Sequence, residues 1–409
     1  MKNTMLSLES RKFIKPKKVI AVVPSFYGNT GDAVNERNLL LTIAEKSSSC
    51  TVISQIGIRE IFIYRKYLKQ LEKFPENLKV IMIPCIKTSP IVYILLSIFF
   101  SYILSIILKV LNKLRYVDLI YVRGSWLAVG LLTQKDLREK VIVKIPAIFE
   151  DEIENNILKL IVKKIIGFTD RVALKNAKKI AVNSCLFYWE LLKRRCMVRK
   201  DLPLEVPPGI NMNFIRKRVK PRIRDAKARE SKNFYVGFLG SIFWWQGVDI
   251  LVKAIAILKR KVPNIKLVII GDGPERRFIE ELCKKFAISY EITGYVPHVD
   301  ALRYLASLDV LVIPSKNIST IESNIPIKII EAWALGVPVI ATKRRIFIAK
   351  GIRDGRDIVF CKCSPHSVAK AILKLLSNEA LRERLGKNCK KLAEIYDYEI
   401  IAERILRSM

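Results

Sequence analysis

The stretch VGFLGSIFWWQGVDILVKAIAIL at residues 236–258 decides the fold class, because it predicts a buried strand, a glycine-containing turn and an amphipathic helix. The same order returns in LVIIGDGPERRFIEEL at residues 267–282. Strands that alternate with helices in this way are typical of parallel sheets built from βαβ crossovers. Near-continuous Val, Ile and Leu runs suit strands that are covered on both faces. The two stretches therefore predict an α/β fold with a doubly wound parallel sheet.

The alternation extends through the whole chain and predicts two such sheets. A proline-rich stretch at 203–215, PLEVPPGINMNFI, interrupts the pattern and marks the join between two domains of similar size. The strands are expected at 19–26, 50–57, 78–85, 118–124, 140–147 and 178–184 in the first half, and at 234–241, 265–273, 290–296, 310–315, 337–342 and 357–361 in the second.

Length, charge and cysteine content limit the classes of protein. With 409 residues, 51% of them hydrophobic, the chain can bury two ordinary cores. Lys and Arg number 72 against 38 Asp and Glu, a net charge of +34, which favours an anionic partner such as a membrane surface, phosphates or nucleic acid. The basic run at 216–232 is either a solvated loop or a contact with anionic lipid. Eight scattered cysteines without a C-x-x-C pair, and only two histidines, argue against a zinc framework, and we expect thiols in a reducing cytoplasm.

One segment differs from a typical soluble protein, because Pro90 to Leu108 contains no charged residue and is long enough to span a bilayer as a helix. Its flanking strands at 78–85 and 118–124 are expected in one sheet, which a single crossing would separate. We therefore expect a helix docked on, or dipping into, one leaflet. Serines recur every four residues over 97–105, so the alternative is a crossover helix that packs a small face on the sheet.

Further blocks follow in order in the second half, GYVPHVDALRYLASLDVLVIPS at 294–315 and PIKIIEAWALGVPVIA at 326–341. With the first two stretches they resemble glycosyltransferase family 4, whose members have two Rossmann-like domains facing a cleft, the GT-B architecture. The first half is compatible, because PSFYGNTGDAVNERNLLL at 24–41 is similar to the family's first loop and helix, and 203–215 is similar to its interdomain hinge. The resemblance implies hexose transfer from a nucleotide-sugar donor, with retention at the anomeric carbon and no obligatory metal.

The resemblance also implies roles for individual residues. Glu331, expected at the start of a helix, matches the family's carboxylate that accepts hydrogen bonds from the ribose hydroxyls; the alternative is a capping or surface acid. Lys328, about one helical turn earlier, would act as a catalytic residue by stabilising the diphosphate leaving group; the alternative is a solvated lysine. His298 is expected in a loop beside the nucleobase pocket. The other donor-binding candidates are Gly31, Gly240, Ser241, Gln246, Gly247, Tyr295, Val296, Ser323 and Asn324.

Two departures from the family pattern bear on the donor. The family's usual pair of glutamates, eight residues apart, would place the first at Ser323, with Glu322 one position away. Either Glu322 substitutes for it, or Ser323, Asn324 and backbone amides contact the donor sugar. Ser241 and Gln246 stand where family members commonly have Arg and Lys, and neither can supply the charge that those residues give to phosphate binding.

In the first half, the region that corresponds to a sugar-contacting loop is KIPAIFEDEIE at 144–154, which contains no histidine. Glu150 and Asp151 are the candidate catalytic carboxylates there; the alternative is that they are acids at the start of a helix. Arg123 and Gly124, at the end of the preceding predicted strand, are candidate cleft residues.

On these grounds we expect residues 1–205 to form an acceptor-binding domain with a membrane-associating helix at about 90–110. Residues 206–384 would bind the nucleotide-sugar, and a C-terminal helix at 385–409 would cross back onto the first domain, as in the resembling family. The predicted function is a cytoplasmic retaining glycosyltransferase, peripheral on the inner face of the cell membrane, acting on a lipid-linked oligosaccharide or a glycolipid. The alternatives are a nucleotide-sugar-binding pseudoenzyme and a basic nucleic-acid-binding protein, although no recognition helix, zinc finger or RNP pattern is present.

Overall fold

The computed structural model forms two units and describes residues 17–27, 31–57, 74–87, 89–110, 116–149, 156–199, 201–219, 233–316 and 322–409. The first unit is drawn from Met1–Val182, Arg195–Leu204 and Ile401–Met409, and the second from Asn183–Arg194 and Glu205–Ile400.

A sheet with the strand order β3-β2-β1-β4-β5-β6-β7 organises the first unit. Its central strand β1 pairs in parallel with β2 and β4, so that Val22 lies opposite Ile53 on one side and Val122 on the other. The chain order reverses between β1 and β4, and the carboxyl ends of these two strands therefore form the topological switch point, where doubly wound sheets bind ligands. The strands are β1 (Lys18–Val23), β2 (Ser49–Gly57), β3 (Leu78–Cys85), β4 (Leu119–Arg123), β5 (Val141–Lys144), β6 (Lys179–Val182) and β7 (Leu204–Glu205).

Helices cover this sheet, and one of them has an unusual composition. In the described part of the chain, α2 is the single helix that is long and apolar enough to cross a membrane, by length and composition. The helices of the unit are α1 (Gly31–Glu45), α2 (Pro90–Val110), α3 (Val129–Thr133), α4 (Lys135–Arg138) and α5 (Asn156–Asn176).

A second parallel sheet, ordered β10-β9-β8-β11-β12-β13, organises the second unit, and its switch point lies between β8 and β11. The strands are β8 (Phe234–Leu239), β9 (Ile265–Ile270), β10 (Tyr290–Ile292), β11 (Val310–Ile313), β12 (Val339–Thr342) and β13 (Val359–Cys361). The helices are α6 (Cys185–Arg195), α7 (Met212–Arg218), α8 (Val248–Leu258), α9 (Arg276–Lys285), α10 (His298–Leu305), α11 (Ile327–Leu335), α12 (Arg345–Ala349), α13 (Pro365–Leu376) and α14 (Glu379–Glu394).

The last part of the chain is divided between the units. Helix α14 belongs to the second, because Leu385 and Cys389 are fully buried in its core and Gly386 lies close to the Gly336 carbonyl. The following helix, α15 (Tyr398–Arg407), continues into the first unit from Ile401 on. There the Lys17 ammonium donates to the carbonyl of Met409 at 3.0 Å.

The predicted fold class is confirmed, because every expected strand has a counterpart in one of two doubly wound sheets. Several strands end earlier than expected. Strand β8 stops at Leu239 and β9 at Ile270, because Gly240 and Gly271 follow with φ of 127° and 139°. A Cβ on Gly271 would lie 2.2 Å from the Gly240 carbonyl oxygen, so the two glycine turns touch. Strand β7, within the proline-rich join, was not expected.

Candidate functional site

The turn from β8 to α8 lies at the switch point of the second unit and requires its two glycines. A Cβ on Gly240 would lie 2.4 Å from Lys328 Nζ, and a Cβ on Gly247 would lie 2.2 Å from the Pro314 carbonyl oxygen. Gly247 has φ of 72° and stands immediately before α8, with no side chain capping the helix. The turn thus brings backbone, a lysine ammonium and a helix N-terminus together, a combination suited to an anion.

Lys328 lies in the first turn of α11 and is partly buried. Its Nζ is 3.3 Å from Gln246 Oε1 and 4.7 Å from the centre of the Phe238 ring. Burial and the positive charge of Arg344 lower the pKa of Lys328 to about 7, although Glu331 acts to raise it. A phosphate oxygen beside Nζ would favour the charged form again. Lys328 can therefore gain a proton, and with it a positive charge, when an anion binds beside it.

Glu331 is buried in the middle of α11, not at its start as the sequence suggested. Its Oε1 is 2.6 Å from His298 Nε2. His298 is the first residue of α10 and so lies in a helix rather than a loop. The carboxylate that the resemblance assigns to the ribose is thus held by the one histidine near it.

The segment 322–324 gives each side chain a different environment. Glu322 Oε2 accepts a hydrogen bond from the Arg345 backbone amide at 2.9 Å. Ser323 is buried and its hydroxyl donates to Glu190 Oε2 at 2.9 Å. The Oδ1 atom of Asn324 is buried without a hydrogen-bond partner among the described residues. Of the three, Asn324 therefore offers an acceptor that a ligand would satisfy.

Arg344 is a candidate that the sequence reasoning missed. It follows β12 at the carboxyl edge of the sheet and is 4% exposed. Burial lowers the pKa of Arg344 to about 10, although Glu322 acts to raise it. The sequence did contain a sign of this candidate, because Arg344 follows closely after the strand predicted at 337–342. Arg344 can supply the charge that Ser241 and Gln246 lack.

The other donor candidates are dispersed. Tyr295 is 69% exposed in the loop between β10 and α10, and Val296 beside it packs on the core. Ser241 is exposed in the turn after β8. Gly31 lies in the first unit as the first residue of α1, where a Cβ would meet nothing within 4 Å, so this position does not require glycine. Of these four, Ser241 alone lies in the switch-point turn.

In the first unit, Glu150 and Asp151 lie outside the described residues, whereas Arg123 ends β4 at the switch point. Arg123 Nη2 is 2.9 Å from Asp32 Oδ2, and its Nε is 3.4 Å from Glu36 Oε2. Lys144, which ends the neighbouring strand β5, is 3.4 Å from the same Glu36 oxygen.

This network of Asp32, Glu36, Arg123 and Lys144 contains three residues that the sequence reasoning did not single out. Glu36 is fully buried, and its Oε1 has no hydrogen-bond partner among the described residues. Burial lowers the pKa of Lys144 although Glu36 opposes the shift, and Glu36 and Asp32 raise the pKa of Arg123 against the effect of burial. The sequence offered one sign of this network, because the apolar strands VIVK and LIYVR each end in a charged residue.

Comparisons of the sequence with known proteins bear mainly on the second unit. Residues 219–392 match the family model described as glycosyl transferases group 1. The capsular polysaccharide biosynthesis glycosyltransferase CapM of Staphylococcus aureus is 29% identical over 40% of this chain and 42% of its own length. The alpha-monoglucosyldiacylglycerol synthase of Acholeplasma laidlawii is 23% identical over 59% of this chain and 60% of its own. The chain spans less than half the length of the first curated relatives that it matches.

A solved structure extends the likeness of the fold to both units. The Anabaena protein HepE in complex with UDP has a TM-score of 0.68 at 17% identity, over 95% of this chain and 98% of that one. HepE has also been solved with UDP-glucose. The chain thus has the GT-B fold, and its residues 219–392 are similar to the glycosyl transferases of group 1.

Proposed function

We propose that the protein is a retaining glycosyltransferase that moves a hexose from a nucleotide-sugar donor to a membrane-associated acceptor. The observation that carries this is the group 1 match over residues 219–392, within which Lys328 and Glu331 lie in one helix that starts at the carboxyl edge of the sheet. The similar fold of HepE, which holds UDP and UDP-glucose, supports a nucleotide-sugar as the donor.

In the proposed reaction the donor binds to the second unit. The ribose hydroxyls donate to Glu331, which then exchanges its contact with His298 for the ligand. Lys328 and Arg344 balance the charge of the diphosphate, and Asn324 Oδ1 accepts from a hydroxyl of the sugar. The bond between the anomeric carbon and the diphosphate breaks while the oxygen of the acceptor hydroxyl bonds to that carbon, and the hydroxyl proton passes to the departing diphosphate oxygen. The two cations stabilise the charge that develops on the leaving group, and no metal is required of the protein for this step.

The proposed acceptor is a lipid-linked oligosaccharide or a glycolipid, which the protein reaches from the cytoplasm on the inner face of the cell membrane. Helix α2, which has no charged residue from Pro90 to Leu108, and a net charge of +34 support a membrane setting. One relative is named as a synthase of alpha-monoglucosyldiacylglycerol, a glycolipid, which supports this class of acceptor.

Calorimetry with UDP, GDP and ADP, and with their common sugar conjugates, tests the donor site. We expect one base to bind, and Glu331→Ala to weaken its binding about tenfold or more, because two hydrogen bonds to a carboxylate are lost. Glu291→Ala, an exposed acid on β10 of the same unit, is the control and should bind like the wild type. Absence of binding by all three nucleotides would contradict the proposal, and so would equal binding by Glu331→Ala.

Turnover with membrane lipid extract tests the chemistry, and NMR of the product gives the configuration at the anomeric carbon. Retention is expected. A protein that binds the nucleotide-sugar but transfers no sugar to any lipid would be the pseudoenzyme instead, and an inverted product would contradict the retaining assignment.

A further inference from the structure

Helix α2 has two faces of different character. One face is buried and includes Ser97, Ser101 and Ser105. The opposite face is apolar and exposed, with Phe99 at 65% exposure and Ile106 at 56%. A single exposed apolar side chain is ordinary, but a continuous row along a helix of 21 residues is not. The exposed row consists of Val92, Leu95, Leu96, Phe99, Tyr102, Ile103, Ile106, Ile107 and Val110.

The serine face fixes α2 to the rest of the first unit. Gln55, buried on β2, donates to Ser97 Oγ at 3.0 Å. The backbone amide of Gly130 on α3 donates to Ser101 Oγ at 2.8 Å, and a Cβ at Gly130 would lie 2.2 Å from the Tyr102 backbone nitrogen. This close contact leaves no room for lipid between α2 and α3, so the helix is an integral layer of the unit.

The sheet also excludes a simple crossing of the membrane by α2. Strands β3 and β4, which precede and follow the helix, belong to one sheet in the order β3-β2-β1-β4. A helix that crossed the bilayer would place these two strands on opposite sides and break the sheet. Helix α2 can therefore meet a membrane only with its exposed face, along the surface.

A second helix, α5, continues that face. Ile94 of α2 packs with Val162 and Ile166 of α5 in one buried cluster. The outward side of α5 carries both apolar and basic side chains, and Ile157, near its start, is 76% exposed. The exposed apolar side chains of α5 are Ile157, Leu160, Ile161 and Phe168, and its exposed cations are Lys163, Lys164, Arg171 and Lys175.

We propose that the outward sides of α2 and α5, here called the α2–α5 face, form one surface that lies in the plane of an anionic bilayer. The apolar side chains enter the boundary between headgroups and acyl chains, and the cations of α5 contact lipid phosphates. The inference rests on the proposed function only in that a lipid acceptor explains why the protein would be held there.

Charge favours a bilayer over a second copy of the chain as the partner. The one acid of α5, Asp170, is buried in an ion pair with Arg195 at 2.8 Å, so every charged side chain on the exposed side of the helix is positive. A two-fold interface through this face would oppose the same cations on both copies, which costs free energy. An anionic surface neutralises them.

Sedimentation with vesicles tests the surface. The purified full chain is mixed without detergent with vesicles of phosphatidylcholine alone or with 30% phosphatidylglycerol, a fraction of about one anionic lipid in three that gives a strongly negative surface. We expect binding to the anionic vesicles. Phe99→Asp and Ile161→Asp should each lower the affinity for these vesicles at least tenfold. Phe278→Asp, at an exposed position of α9 in the second unit, should leave that affinity unchanged.

A charge-reversal pair separates the two contributions. Lys164→Glu with Arg171→Glu should abolish the preference for anionic vesicles, whereas Lys284→Glu with Lys285→Glu, exposed on α9, should retain most of it. Nucleotide binding of every variant is measured alongside. Normal nucleotide binding with lost vesicle binding shows that the variant is folded, and it separates failure of this surface from failure of the proposed function.

Three results would overturn the inference. The first is equal vesicle binding by wild type, Phe99→Asp and Ile161→Asp. The second is a stable dimer that Phe99→Asp converts to a monomer, which would assign the face to a second copy. The third is a wild-type chain that stays in solution only with detergent and is not released from vesicles by 1 M salt and dilution, because such a chain would span the bilayer.

Discussion

At the scale of single residues, two cations stand out because burial lowers the pKa of both. Burial and Arg344 hold the pKa of Lys328 at about 7, and burial lowers the pKa of Arg344 to about 10. A diphosphate bound beside both groups would favour their charged forms, so we expect the anion to bind there. On that expectation Arg344, in the loop after β12, would supply the positive charge that Ser241 and Gln246, in the turn after β8, do not carry.

The adjacent arginines allow a matched test of this idea. Arg344 is buried and Arg345 is exposed. We expect Arg344→Gln to lower the affinity for UDP about ten- to a hundredfold, because a hydrogen bond to a charged group contributes about 1.5–3 kcal/mol. Arg345→Gln should bind UDP like the wild type, and uridine should not distinguish the variants. Calorimetry measures both; equal losses in the two variants would remove Arg344 from the phosphate site.

The pKa of Lys328 predicts a pH dependence of donor binding. The lysine is half neutral near pH 7 in the free protein, and a bound diphosphate raises its pKa toward the ordinary 10.5. Between these two values the complex holds more protons than the free protein, so the affinity for UDP should fall as the pH rises from 7 to about 9. Calorimetry at pH 8 in buffers of different ionisation enthalpy should show proton uptake. Lys328→Arg, which stays charged, should take up none; uptake equal to that of the wild type would contradict the assignment.

At the scale of elements, the strands were largely predictable and the surroundings of each helix were not. Apolar runs bounded by glycine determine where a strand can form, so β8 and β9 were found within a few residues. For α2 the sequence left two alternatives open. Its serine face is buried, as expected of a crossover helix, and its other face is exposed, while contact with a membrane stays a prediction. The contact between Ser101 and Gly130 could not be predicted from the sequence, because the two residues lie in different helices.

The contact between α2 and α3 predicts a stability difference between two glycines of the first unit. A Cβ at Gly130 would lie 2.2 Å from backbone of α2, whereas a Cβ at Gly31 meets nothing within 4 Å. Gly130→Ala should therefore lower the free energy of unfolding by about 1–3 kcal/mol, as overpacking does. Gly31→Ala should be neutral or stabilising by about 0.5 kcal/mol, since alanine favours a helix. Denaturant unfolding measures both, and an unchanged midpoint for Gly130→Ala would show that α2 is not held there.

At the scale of the whole molecule, the sequence predicted two doubly wound sheets but only part of each site. Lys328 and Glu331 lie in one helix, so their spacing was visible in the sequence. The network of Asp32, Glu36, Arg123 and Lys144 was not visible, because strand pairing brings together residues about a hundred positions apart. Ser323 shows the same limit, since its partner Glu190 is distant along the chain. Local patterns predict elements, whereas contacts between elements depend on the folded sheet.

With a net charge of +34, the protein should bind both duplex DNA and anionic vesicles, but the two affinities should depend differently on salt. Duplex DNA offers only phosphates, so its affinity should fall about a thousandfold or more between about 50 and 200 mM salt, equally for unrelated sequences. Anionic vesicles also accommodate the apolar side chains of the α2–α5 face, so vesicle binding should persist at the higher salt. Phe99→Asp should lose vesicle binding and keep the DNA binding of the wild type. Anisotropy titrations and vesicle sedimentation compare the two ligands. A sequence-selective complex with DNA would instead support the nucleic-acid-binding alternative.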